Sequence, residues 1–128
     1  MLKTKIFYFL PAVLWFAFSL ILLIIPGNDL PPAPFLAAIH FDKIVHIVLF
    51  GALVYLFCVP LKNQANFVTL CFKIAIWGWA YGIVMEFVQK YWVPNRSFDI
   101  TDIIADGVGC FIAYLFLKRR NRSKAKVS

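Results

Sequence analysis

"IFYFLPAVLWFAFSLILLII", Ile6 to Ile25, runs for twenty residues without a charged side chain. As an α-helix rising about 1.5 Å per residue it reaches about 30 Å, the thickness of a bilayer's hydrocarbon core. The stretch therefore predicts a transmembrane helix. A cleaved signal peptide is the competing reading. The run is longer than the roughly 7–15 residues of a signal h-region, and no A-x-A-like site follows it. The helix is expected to be retained and to stop at Pro26-Gly27. Beyond it, "PGNDLPPAPF" packs four prolines and a glycine into a segment that cannot be regular helix.

The rest of the chain repeats the pattern. Apolar runs cover about 42–61, 67–89 and 102–117, separated by the polar "KNQAN" and by "KYWVPNRSFDI". With 62% hydrophobic and 15% charged residues, the composition is that of an integral membrane protein. Strands are excluded, because four segments of this length cannot close a barrel and open sheet edges are not tolerated in lipid. The expected fold is an all-α bundle of four transmembrane helices, and 128 residues leave room for one domain. Cys58, Cys71 and Cys110 lie inside apolar runs and read as small buried hydrophobes, not a disulfide framework.

Lysines and arginines set the orientation. Lys3 and Lys5 precede the first helix, Lys62 sits in the short second loop, and residues 118–128 form a tail with six further cations. By the positive-inside rule both termini are cytoplasmic. A basic cluster can also bind nucleic acid. One placed directly after an apolar helix is instead a topology anchor held by anionic lipid, and no nucleic-acid partner is expected. Lys73, slightly inside the third helix, snorkels to the head groups.

The six acids fall at the other end: Asp29, Asp42, Glu86, Asp99, Asp102 and Asp106, together with His40, His46, Lys43, Lys90 and Arg96. Residues three or four apart share a helical face. Asp42 and His46 pass that test on the second helix, and Glu86 and Gln89 pass it on the third. Asp99, Asp102 and Asp106 form a stripe on the fourth that continues through Gly109 and Ala113. Ionisable groups within spans are costly and point to function when they face the bundle interior. The expectation is one pocket lined by Asp42, His46, Glu86, Gln89, Arg96, Asp99 and Asp102 within about 10 Å of a common centre, with Arg96 paired to at least one acid. Plainer readings exist. Asp42, Asp99 and Asp102 suit helix caps and first turns, Lys43 and Lys90 suit interfacial anchors, and Tyr91 with Trp92 suits an aromatic belt.

Three blocks, "DKIVH" at Asp42 to His46, "EFVQ" at Glu86 to Gln89 and "RSFDITDIIADGVG" at Arg96 to Gly109, together resemble the signature blocks of the VanZ-like family. These are small bacterial membrane proteins named after a member associated with teicoplanin resistance. The resemblance implies the cytoplasmic (inner) membrane of a bacterium. The chain departs from the family pattern at Asp106, where asparagine is usual, and at Ala113, where glycine is common.

Three kinds of function fit the cluster. The first is an enzyme acting on an envelope lipid head group or a lipid-linked cell-wall precursor. His46, oriented by Asp42, would be the general base, Glu86 an acid or second base, and Arg96 the clamp on an anionic group. Gln89, Asp99, Asp102, Lys43 and Asp106 would complete the ligand site. The second is a binding module that holds a lipid, drug or cell-wall fragment without turning it over. The third is a small proton-coupled transporter, disfavoured because the inner halves of the first two helices carry no deep polar group. One imidazole with several carboxylates suits manganese or magnesium no worse than zinc, and there is no H-E-x-x-H motif. No metal or cofactor is expected. The sequence sets no oligomeric state.

Overall fold

The computed structural model of the chain describes residues 6–26 and 41–128. Lys3, Lys5, Asp29 and His40 lie outside the described residues. A 3-10 turn at Ile6–Phe9 leads into α1, Leu10–Ile24; α2 is Phe41–Cys58, α3 is Phe67–Trp92 and α4 is Ile100–Val127. There is no strand among the described residues. All four helical segments, of 19, 21, 26 and 28 residues, are long and apolar enough to cross a membrane.

Proline chemistry punctuates the bundle. Pro11 falls in the first turn of α1, where a missing N–H costs nothing. At the other end, Ile25 is extended (φ −62°, ψ 129°) because the ring of Pro26 disfavours the helical region for the residue before it. Val93 (φ −105°, ψ 117°) ends α3 in the same way before Pro94. Asn95 then takes a left-handed conformation (φ 58°), which asparagine tolerates better than most residues. This turn sends the chain back into α4.

The fourth helix differs from the expected 102–117 at both ends. Asp99 caps it, accepting from the Thr101 N–H at 2.8 Å, so the helix begins at Ile100. It continues through the basic tail to Val127, because 118–127 contains good helix formers and neither glycine nor proline.

α4 packs most extensively against α2 and α3, while α1 lies along their side. Glycines set how closely the helices approach. A Cβ on Gly109 would collide with the Ile47 carbonyl, and one on Gly51 would sit 3.2 Å from the Gly109 carbonyl oxygen. α2 and α4 therefore touch backbone to backbone, as small residues allow in membrane bundles. Below the polar end the interior is apolar, built from Phe50, Leu53, Val54, Cys58, Cys71 and Cys110. All three cysteines are free and buried. Trp77, Val84, Ile112, Leu115 and Phe116 are exposed large apolar residues that suit a lipid-facing surface.

Candidate functional site

The polar cluster is assembled from one end of α2, α3 and α4. On α2 the inward face carries Lys43, His46 and Phe50, spaced three and four residues apart, with the imidazole stacked on the Phe50 ring at 6.3 Å and 6°. His46 is 7% exposed. Its Nδ1 lies 2.7 Å from Oδ1 of Asp106, and its Nε2 lies 3.8 Å from Oδ2 of Asp102. Asp102 and Asp106 are one turn apart on α4, so a single helical face presents a carboxylate to each side of the ring.

Asp106 is 1% exposed, and the fold makes room for it by omission. A Cβ on Gly82 of α3 would stand 2.5 Å from its Oδ2. On the neighbouring turns, Trp79 donates from Nε1 to the Ile103 carbonyl at 2.9 Å, which fixes the rotation of α4 against α3.

Lys43 is the centre of the outer layer. Its ammonium contacts Asp42 at 2.9 Å, Asp99 at 2.7 Å and Asp102. One cation thus bridges three carboxylates. No group of three or more His, Cys, Asp or Glu among the described residues is arranged to hold a metal ion. Asp99, just outside the span, is held down at about 2 by the Lys43 ammonium and by hydrogen bonds from Thr101. Its Oδ1 accepts from both the N–H and the hydroxyl of Thr101. Asp99 is therefore a helix cap and a member of the cluster at once.

Glu86 is 1% exposed, and its Oε2 accepts from the Asp99 N–H at 2.9 Å. It ties α3 to the start of α4, close enough to His46, Asp102 and Asp106 for their charges to act on it. Five carboxyl groups thus gather around one lysine and one histidine. If all were ionised the cluster would be strongly negative near a low-dielectric boundary, so it must hold protons or attract a cation.

Several expectations are corrected. His46 is oriented by Asp106, not by Asp42. Asp42, in the first turn of α2, points to the rim with a side chain 58% exposed and pairs with Lys43. Lys43 is not merely an interfacial anchor. Arg96 pairs with no acid among the described residues. Its Nε donates to the Ile25 carbonyl at 3.0 Å and its Nη2 to the Leu22 carbonyl at 3.3 Å. Gln89, 2% exposed, donates to the Leu23 carbonyl at 2.8 Å. Both side chains cap the orphan carbonyls at the end of α1, where a cation also complements the helix dipole. They hold α1 to the bundle. The remaining groups pack on one another, with His46, Glu86 and Asp106 buried and Lys43, Asp99 and Asp102 more exposed at the rim. Sequence reading gave no role to Gly82, Trp79 or Thr101. Only the Thr101 spacing, two residues after an N-cap acid, carried a signal for its contact.

Four membrane-spanning helices closed at one end by a histidine–carboxylate cluster define a small polytopic membrane protein. The chain belongs to the VanZ/LLP1 family, whose model matches residues 3–121, nearly its whole length. Comparison with curated proteins and with solved structures brings no significant match.

Proposed function

We propose that this protein lies in the bacterial cytoplasmic membrane with both termini inside. Its acidic end, at the outer face, then acts on an envelope lipid head group or a lipid-linked cell-wall precursor. The observation that supports this most is the His46–Asp106 pair. A buried carboxylate 2.7 Å from Nδ1 fixes the tautomer and stabilises an imidazolium, so that Nε2, which faces Asp102 at 3.8 Å beneath the rim, is the nitrogen that takes a substrate or water proton once the arriving ligand opens the rim. Lys43, at the rim, is the cation nearest to an arriving phosphate or carboxylate and exchanges part of its carboxylate shell for that group. Glu86 positions the start of α4 through the Asp99 N–H. Without a side-chain nucleophile hydrogen-bonded to His46 among the described residues, the reading is base-assisted attack by water or by a lipid hydroxyl on an ester or phosphoester of the head group: Nε2 takes the attacking O–H proton, the bond to the leaving oxygen breaks, and the imidazolium returns the proton to the departing alcohol. At the basic end the partner is anionic lipid.

A second reading, a binding module without turnover, is favoured by the mutual neutralisation of Lys43, Asp42, Asp99 and Asp102. The test compares envelope lipids by mass spectrometry, and teicoplanin susceptibility, in cells producing the wild type, His46→Gln or no protein. A head-group or precursor change that disappears in His46→Gln supports the enzyme. An unchanged lipid profile with altered susceptibility that survives His46→Gln supports the module.

A further inference from the structure

The end of the bundle opposite His46 carries cations without protein counter-charges. No Asp or Glu occurs between residues 43 and 85 or from 107 to 128. The described ion pairs all belong to Lys43 and His46. Among the basic residues here, three converge. A cavity of about 150 Å³ opens between the end of α2, the start of α3 and α4, with Tyr55, Phe67 and Leu117 as its apolar wall and Lys62, Arg120 and Lys124 as its charged wall. Leu117, Arg120 and Lys124 are three and four residues apart and share one face of α4, Leu117 buried and the two cations exposed at the cavity. Arg119, Arg122 and Lys126 form a separate face outside the cavity. The first turn of α3 adds to the field, having no acidic residue and no side-chain cap from Asn66.

We propose that this cavity binds the phosphate head group of an anionic phospholipid. Three cations and a positive helix end crowd one cleft, and an anion relieves their mutual repulsion. The guanidinium of Arg120 supplies the planar fork that matches phosphate oxygens. The apolar wall selects a lipid over free phosphate. Phe67 and Leu117 are buried at the cavity, and exposed Val59 beside it continues toward the Tyr55–Phe116 ring pair along the flank of the bundle. A ligand charged at one end and apolar at the other fills both parts. The inference deepens the reading of the basic end as a lipid anchor and is independent of any chemistry at His46.

The full-length chain in detergent, titrated with dioleoyl phosphatidylglycerol or dioleoyl phosphatidylcholine and observed by native mass spectrometry, tests it. One phosphatidylglycerol per chain should be retained and phosphatidylcholine should not. Each cation removed from the cavity should weaken retention about fivefold, so the triple variant Lys62→Gln, Arg120→Gln, Lys124→Gln should lose about a hundredfold. The triple variant Arg119→Gln, Arg122→Gln, Lys126→Gln removes the same net charge from outside the cavity and should retain the lipid. Lys62→Gln alone, on an exposed loop, gives the fivefold step without risk to the fold. Equal weakening by both triples would mean diffuse surface electrostatics and overturn the site. So would loss of the lipid to millimolar inorganic phosphate, which marks a simple anion site. Each outcome leaves the lipid-profile comparison of wild type and His46→Gln unaffected.

Discussion

Nδ1 of His46 on α2 and Oδ1 of Asp106 on α4 stand 2.7 Å apart across sixty residues of sequence, and both side chains are buried. This pair, and not the Asp42–His46 face, is what places an imidazole at a membrane boundary in a fixed orientation. An amide at position 106 would serve for orientation alone, whereas the chain has a carboxylate there.

Replacing that carboxylate separates its two roles. Asp106→Asn keeps an acceptor for Nδ1–H and should leave the fold intact. Asp106→Leu strands a buried imidazole nitrogen and should cost about 1–3 kcal/mol. Thermal unfolding in detergent reads the difference, and equal melting points for the two variants would show that the hydrogen bond contributes nothing.

Gly82 and Asp106 are predicted to be coupled. Gly82→Ala puts a methyl group against Oδ2 and should destabilise by about 1–3 kcal/mol. In an Asp106→Ala background the carboxylate contact at 2.5 Å is gone and only the Cβ contact at 2.9 Å is left, so part of the clash is relieved and the double variant should be more stable than the sum of the singles, by about 0.5–3 kcal/mol. Strict additivity would place the two residues out of contact.

Stability should depend on pH through Lys43. Asp99 titrates at about 2 in the folded protein against 3.8 when unperturbed. A carboxyl depressed in the folded state contributes stability that is present above 3.8 and lost as pH falls through about 2. Lys43→Met removes the first cause of that depression. Because the Asp99 side chain is 41% exposed and screened by solvent, the part of the loss that comes from Asp99 should be only about 1 kcal/mol at neutral pH. It should shrink toward zero as the pH is lowered to 2. Melting curves of both proteins from pH 7 to pH 2 measure it, and a gap that widens in acid would contradict the pairing.

Arg96→Gln should loosen α1 without disturbing the cluster. The variant loses charged donors to the Ile25 and Leu22 carbonyls, worth about 1–3 kcal/mol together. Limited proteolysis should cut faster between α1 and α2, while any lipid-profile effect of the wild type persists. Loss of that effect with unchanged proteolysis would return Arg96 to the site as a ligand clamp.

Topology is directly testable. A reporter fused after Ser128 should be active in the cytoplasm, and one inserted between Pro31 and Pro34, outside the described residues, should behave as exported. The opposite pattern would move the acidic cluster to the inner face.

Four helices and the separation of acids from the basic tail were legible in the sequence, while the run of α4 on through that tail to Val127 was not. Hydropathy is a local, additive property, and a span of about 20 apolar residues has one stable solution in lipid. The stripe from Asp102 through Asp106 to Gly109 and Ala113 was legible too, because helical periodicity fixes which residues share a face. Pairing across helices was not. Lys43 and His46 face inward and Asp42 faces the rim because α2 is rotated so that Gly51 meets Gly109, a choice made by backbone contact between helices. Arg96 and Gln89 reach α1 because the Val93–Asn95 turn and the end of α3 lie beside its last carbonyls, which no spacing within α3 or α4 encodes. Composition and period determined what spans the membrane and which end is charged. The rotation and approach of the packed helices decided which carboxylate meets His46, because hydrogen bonds act over about 3 Å while sequence patterns resolve only faces.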